Sequence, residues 1–96
     1  MHFFGTYQES MLWLENQLKE QLKVRIIING GDSLLAFCKE NKMHIVDKIE
    51  KIRIEFALRS KATLSIGIGD NPRQAYFALK LAKASGKNRV EVFMEY

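Results

Sequence analysis

The stretch VRIIINGGDSLLAF, residues 24–37, decides the fold of this chain. A β-branched run ends at two glycines and an aspartate, and a second apolar run follows. β-Branched residues favour strands, and paired glycines allow the positive φ angles of a tight reversal. The stretch therefore predicts a β-hairpin whose turn carries Gly30, Gly31 and Asp32.

Periodicity outside the hairpin predicts three helices and two further strands. Apolar residues recur at helical spacing over 7–22 and 44–59, and a third helix opens at Asp70-Asn71-Pro72 and ends at Gly86. Residues 61–68 and 89–96 alternate as strands do. The order α-β-β-α-β-α-β predicts an α+β fold, a ferredoxin-like or palm antiparallel sheet with helices on one face and without the usual opening strand. Small residues on the far face of 61–68 predict a helix or a ligand packed closely there.

Composition limits what the chain can be. Its 96 residues, 47% hydrophobic and 27% charged, predict one globular domain over 1–96. No apolar run approaches the roughly 20 residues of a membrane span. No charged-then-apolar leader opens the chain, so we expect a cytoplasmic protein. The single Cys38 excludes a disulfide framework within the chain and a cysteine-based zinc site. The net charge of +4 suits an anionic ligand such as a nucleotide.

Two segments could carry chemistry. A carboxylate at the tip of a tight hairpin can bind Mg²⁺, and the amides of a Gly-Gly turn can approach a phosphate. The same residues are also typical of an ordinary turn. Lys80, Lys83 and Lys87 near the end of the third helix fit the helix dipole, and they could equally neutralise a phosphate tail. His2 and His44 lack neighbours at metal-ligand spacing.

Taken together, these segments resemble the nucleotidyl-cyclase palm group. GGDSLLAF at 30–37, TLSIGIG at 63–69 and ALKLAKASGKNRV at 78–90 follow the order found in GGDEF diguanylate cyclases. In its length and in the residues of its motifs, the chain is most similar to the minimal CRISPR polymerase family, which is related to CRISPR polymerase palms and to GTP cyclohydrolase III. The resemblance covers about residues 24–93.

The resemblance implies an activity and a set of site residues. These palms join nucleoside triphosphates into cyclic dinucleotides or oligonucleotides with two Mg²⁺ (or Mn²⁺) ions. The minimal CRISPR polymerases are associated with anti-phage signalling and look like homodimers, so we expect a homodimer here. By motif matching, Asp32 falls on the catalytic metal ligand. The residues expected beside the nucleotide and its phosphates are Gly30, Gly31, Ser33, Ser65, Gly67, Lys83 and Lys87.

This sequence departs from the group's pattern in two places. The group opens with a strand carrying an Asp-Gly-Asp-like metal motif, and these carboxylates are absent here, so we expect a shortened palm-type domain. Ser33 stands where GGDEF enzymes have Glu. Because two-metal phosphoryl transfer needs several carboxylates, the alternative is a catalytically inactive dimer module that binds a nucleotide or a partner. A purely structural dimer is a third alternative. Nucleic-acid binding is disfavoured because the basic residues lack interleaved aromatic residues.

Overall fold

A mixed four-stranded sheet forms the centre of the fold. The computed structural model describes residues 7–21, 24–28, 32–38 and 42–94. Their elements are α1 (Tyr7–Gln21), β1 (Arg25–Ile28), β2 (Ser33–Phe37), α2 (Lys42–Ser60), β3 (Ser65–Gly69), α3 (Pro72–Ala84) and β4 (Val90–Val92). The predicted α+β class and element order are confirmed. None of these helices is long and apolar enough to cross a membrane.

The directions of the strands correct the predicted antiparallel sheet. The strands lie in the order β1-β2-β3-β4, and β1 pairs antiparallel with β2 as the hairpin requires. However, β2 pairs parallel with β3, and β3 pairs parallel with β4. Parallel neighbours need a long crossover connection, and α2 and α3 provide the two crossovers. The prediction was wrong because strand periodicity does not encode the direction of pairing.

Helices cover both faces of the sheet, not one as predicted. Leu34 and Ile66 pack with α1 and α2 in the main core, whose largest fully buried side chain is Phe56. On the opposite face, Leu35 packs with Ala75 and Leu79 of α3. Residues 33–36 and 65–69 are therefore buried throughout, which is typical of strands that lie between two helical layers.

The close packing predicted on the far face of the third strand is made by α3. A Cβ atom built on Gly67 would lie 2.1 Å from the Ala75 carbonyl oxygen. One built on Gly69 would lie 2.6 Å from the Ala75 nitrogen. The two glycines therefore let the helix backbone approach the strand. The sequence left open whether a helix or a ligand packs on this face, and the structure has the helix α3 there.

The largest differences from the predicted element boundaries are in two strands. The third strand was expected from residue 61 but β3 begins at Ser65, since Lys61 takes a left-handed φ of 59° at the end of α2. The last strand was expected over 89–96; β4 is Val90–Val92, and residues 95–96 lie outside the described part of the chain. By contrast, α3 begins as predicted: the Asn71 side chain accepts a hydrogen bond from the Gln74 amide at 2.9 Å, with Pro72 at the first turn.

Candidate functional site

The amino ends of three parallel strands meet at one edge of the sheet. Asp32 directly precedes β2, Ser65 opens β3, and residues 85–89 lead from α3 into β4. Because α3 runs back along the sheet, its last turn with Lys83 reaches the same edge. Residues that are far apart in sequence are thereby brought together, and we call this edge the amino-edge site: Asp32, Ser33, Ser65, Lys83 and 85–89.

Asp32 is the acidic group of the amino-edge site. The buried Ser33 hydroxyl donates to Asp32 Oδ1 at 3.1 Å, and Lys83 Nζ lies 3.5 Å from the same oxygen. The Asp32 side chain is 54% exposed and Lys83 is 39% exposed. The Ser33 hydrogen bond, followed by the charges of Lys83 and Lys87, holds the pKa of Asp32 below its ordinary value, although partial burial acts in the opposite direction. Asp32 is therefore an ionised, solvent-accessible carboxylate at neutral pH.

The loop of the amino-edge site has an unusual backbone. Gly86, Lys87 and Asn88 all have positive φ angles, of 117°, 63° and 49°. Left-handed conformation is unfavourable for residues with a Cβ, so other contacts must hold it. The Asn88 amide donates to Ser65 Oγ at 3.1 Å, and the Lys87 amide donates to the Ala82 carbonyl at 3.0 Å. These bonds fix the segment that carries Lys87 beside the start of β3.

The structure brings together five of the site residues expected from the sequence: Asp32, Ser33, Ser65, Lys83 and Lys87. Gly67 lies farther along β3 under α3, where packing alone accounts for a glycine, and its place beside a nucleotide stays a prediction. Gly30 and Gly31 lie outside the described residues.

One contributor was missed by sequence reasoning. Arg53 of α2 donates to Asn88 Oδ1 at 2.6 Å and to the Asn88 carbonyl at 3.2 Å. Its sequence neighbours indicate only a helical ion pair with Glu50. Asn88 carried a usable signal, since asparagine is enriched in left-handed backbone.

Comparison with known families agrees with this geometry. A sequence model of the minimal CRISPR polymerase domain matches residues 6–93. The chain belongs to the minimal CRISPR polymerase domain family. No curated protein and no solved structure matches the chain. Membership in this family makes the chain a polymerase- or cyclase-like palm domain, in agreement with its palm-like fold.

Polymerase-like domains generally use divalent metals, so the ligands in the amino-edge site decide which ion it can hold. Within 7–21, 24–28, 32–38 and 42–94, no group of three or more His, Cys, Asp or Glu side chains could hold a metal ion. Mg²⁺ often takes one or two carboxylates and completes its shell with water and substrate phosphates. The exposed Asp32 carboxylate fits one such ion arriving with a triphosphate. It does not by itself fit the ligand set of a two-metal site.

Proposed function

We propose that this minimal CRISPR polymerase domain binds a nucleoside triphosphate as its Mg²⁺ complex at the amino-edge site. The observation that supports the proposal is the ionised Asp32 carboxylate beside Lys83 and Lys87. A bare triphosphate would be repelled by Asp32, whereas its Mg²⁺ complex offers a cation to the carboxylate and phosphate oxygens to the lysines.

The Asp32–Lys83 pair is suited to exchanging partners. Both side chains are well exposed and their charged atoms are 3.5 Å apart, and such ion pairs contribute little to stability. Lys83 can therefore leave Asp32 for a phosphate at small cost. Burial of Ser33 beneath the carboxylate keeps Asp32 in place during that exchange.

The family supports a further step, in which the bound triphosphates are joined into a cyclic dinucleotide or oligonucleotide for anti-phage signalling. Such a reaction attacks an α-phosphate with a 3′-hydroxyl and releases pyrophosphate, so the protein contributes mainly positioning and charge. Because the described residues bring one carboxylate to the lysines, the second candidate function is nucleotide binding without turnover. The two candidates share the same binding site.

Binding is tested by calorimetry with ATP and GTP in the presence of Mg²⁺. We expect Lys83→Gln and Lys87→Gln each to weaken binding by about tenfold, since each removes one charge-assisted contact. Lys51→Gln is the matched control. Lys51 lies on α2 beside Trp13, and its substitution removes the same charge as the other two. Equal effects of all three variants would show only a loss of net charge and would refute the site.

Turnover is tested separately, by incubating the chain with ATP, GTP and Mg²⁺ and analysing the products by mass spectrometry. A cyclic product that disappears in Asp32→Ala supports the synthase. Binding without product supports the second candidate. A product that persists in Asp32→Ala would remove Asp32 from the chemistry.

The expected homodimer is part of the proposal. Tyr76, Phe77 and Leu81 on the outer face of α3 are large apolar side chains with about half or more of their surface exposed. Clustered exposed apolar side chains often mark contact surfaces. Light scattering over a range of concentrations should give the mass of two chains, and the mass of one chain throughout would refute the dimer.

A further inference from the structure

Arg53 is joined to the amino-edge site although it belongs to α2, in the helical layer on the opposite face of the sheet from α3. Its side chain is only 14% exposed. On one side Arg53 is held by Glu50, to which Nε donates at 3.0 Å and Nη2 also donates. On the other side Nη1 donates to both oxygens of Asn88, at 2.6 Å and 3.2 Å. The planar guanidinium thus connects α2 to the loop before β4.

The connection continues to Asp32 through hydrogen bonds. The Asn88 amide donates to the buried Ser65 hydroxyl at 3.1 Å, and the Ser65 amide donates to the Asp32 carbonyl at 2.9 Å. Arg53 therefore lies at one end of a chain of contacts whose other end is the backbone of the candidate metal ligand. Lys87, whose charge acts on Asp32, is the neighbour of Asn88 within this chain.

The left-handed backbone explains why such an anchor is needed. Lys87 and Asn88 both carry a Cβ and both have φ near 50–60°. One guanidinium nitrogen of Arg53 donates to two acceptors of Asn88, its backbone carbonyl and its side-chain oxygen. This arrangement restrains the rotation of residue 88 and, through the preceding peptide, the direction of the Lys87 side chain.

We infer that Arg53 is a positioning residue of the amino-edge site: it holds the Gly86–Asn88 turn in its left-handed form so that Lys87 is presented to the triphosphate. The inference rests on the proposed function for the ligand and on the hydrogen bonds of Arg53 and Asn88 for the positioning. Arg53 does not itself need to touch the phosphates. Lysine cannot replace it, because an ammonium group lacks the fixed fork that reaches Glu50 and Asn88 together.

The test compares Arg53→Lys with Arg59→Lys in the full chain. Arg59 is the matched control: it lies on the same helix and pairs with Glu55 at 2.6 Å, and both substitutions keep the charge. The first readout needs no ligand. We expect amide hydrogen exchange at Asn88 to become about tenfold faster in Arg53→Lys, with the central amides of α2 unchanged, and to stay as in the parent chain in Arg59→Lys.

The second readout is the affinity for Mg²⁺–ATP, measured by calorimetry well below the thermal midpoint of each variant. We expect Arg53→Lys to bind about tenfold more weakly and Arg59→Lys to bind like the parent. Asn88→Gly, which tolerates the left-handed backbone but removes the side-chain acceptor, should weaken binding in the same direction.

Each outcome decides the inference. Unchanged exchange at Asn88 in Arg53→Lys would overturn the positioning role. Faster exchange with unchanged affinity would overturn its link to the triphosphate, because a merely structural role gives this result. If the parent chain itself binds no Mg²⁺–ATP, the proposed function fails and the ligand part of the inference fails with it. The exchange result would then still decide whether Arg53 holds the turn.

Discussion

Replacing Gly67 by alanine is the sharpest test of how α3 is seated on the sheet. The new Cβ would lie 2.1 Å from the Ala75 carbonyl oxygen and 2.4 Å from the Leu79 nitrogen. Since an ordinary contact begins at 3.4 Å, the helix and strand must separate by about 1.3 Å. Both obstructing atoms belong to the backbone, so no side-chain rotation can relieve the overlap.

The expected cost follows from this overlap. Overpacking a close-packed core costs about 1–3 kcal/mol, and a backbone clash on two helical turns lies at the upper end. For a domain of about 100 residues, each kcal/mol lowers the thermal midpoint by about 4–8 °C. We therefore expect Gly67→Ala to lower the midpoint by about 10–20 °C or to prevent folding, as followed by circular dichroism and urea unfolding.

Gly86→Ala provides the matched control. A Cβ at Gly86 meets no atom within 4 Å, so that variant carries only the strain of alanine at a φ of 117°. We expect its loss of stability to be about 1–2 kcal/mol. If Gly67→Ala were as stable as the parent chain and lost only nucleotide affinity, the packing argument would be refuted and the glycine would belong to the binding surface.

Three further predictions concern the site and the core. Ser33→Ala and Lys83→Met should each raise the pKa of Asp32 towards its ordinary value, as measured by carboxyl chemical shifts against pH; an unchanged titration would contradict the assigned causes. Because the pKa of Asp32 is depressed in the folded state, its stabilisation is present above the ordinary aspartate pKa and is lost as the pH falls through the folded value. Ser33→Ala should therefore make the free energy of unfolding fall less steeply at acid pH. Asn71→Ala should cost about 1 kcal/mol by removing the cap of α3, with Asn71→Asp as the control that keeps the acceptor. Phe56→Ala should cost about 3–5 kcal/mol in urea unfolding, and a cost below 1 kcal/mol would place the ring outside the core.

The parts of the fold that depend on local pattern followed from the sequence. The periodicity of 44–59 predicts α2 because buried side chains such as Ile49 and Phe56 recur at helical spacing. Pairing direction and helix placement did not follow, because they depend on which elements meet in space. Leu34 and Leu35 are equally apolar, and nothing in their order shows that each is covered by a different helix.

The residues of the candidate site also divide into those that the sequence predicts and one that it does not. Asp32 was predicted from its turn residues, and Lys83 from its place near the end of the third helix and from the family motif that contains it. Arg53 could not be found, since its contact with Asn88 spans 35 positions and follows from the length and planarity of one side chain. Long charged side chains contact other secondary-structure elements, and sequence spacing does not predict which residue they contact.

The parallel pairing of β2 with β3 has a consequence for how the chain acquires its site. Ser33 and Ser65 become neighbours only after the whole of α2 has closed the loop between them. Such non-local contacts form late in folding, because the entropy of loop closure must be lost before the contacts can compensate for it. The β1–β2 hairpin can form early, but it carries Asp32 without its lysines. Under the proposed function, affinity for a triphosphate should therefore appear in the same kinetic phase as the completed sheet, so that ligand capture would report a late folding step.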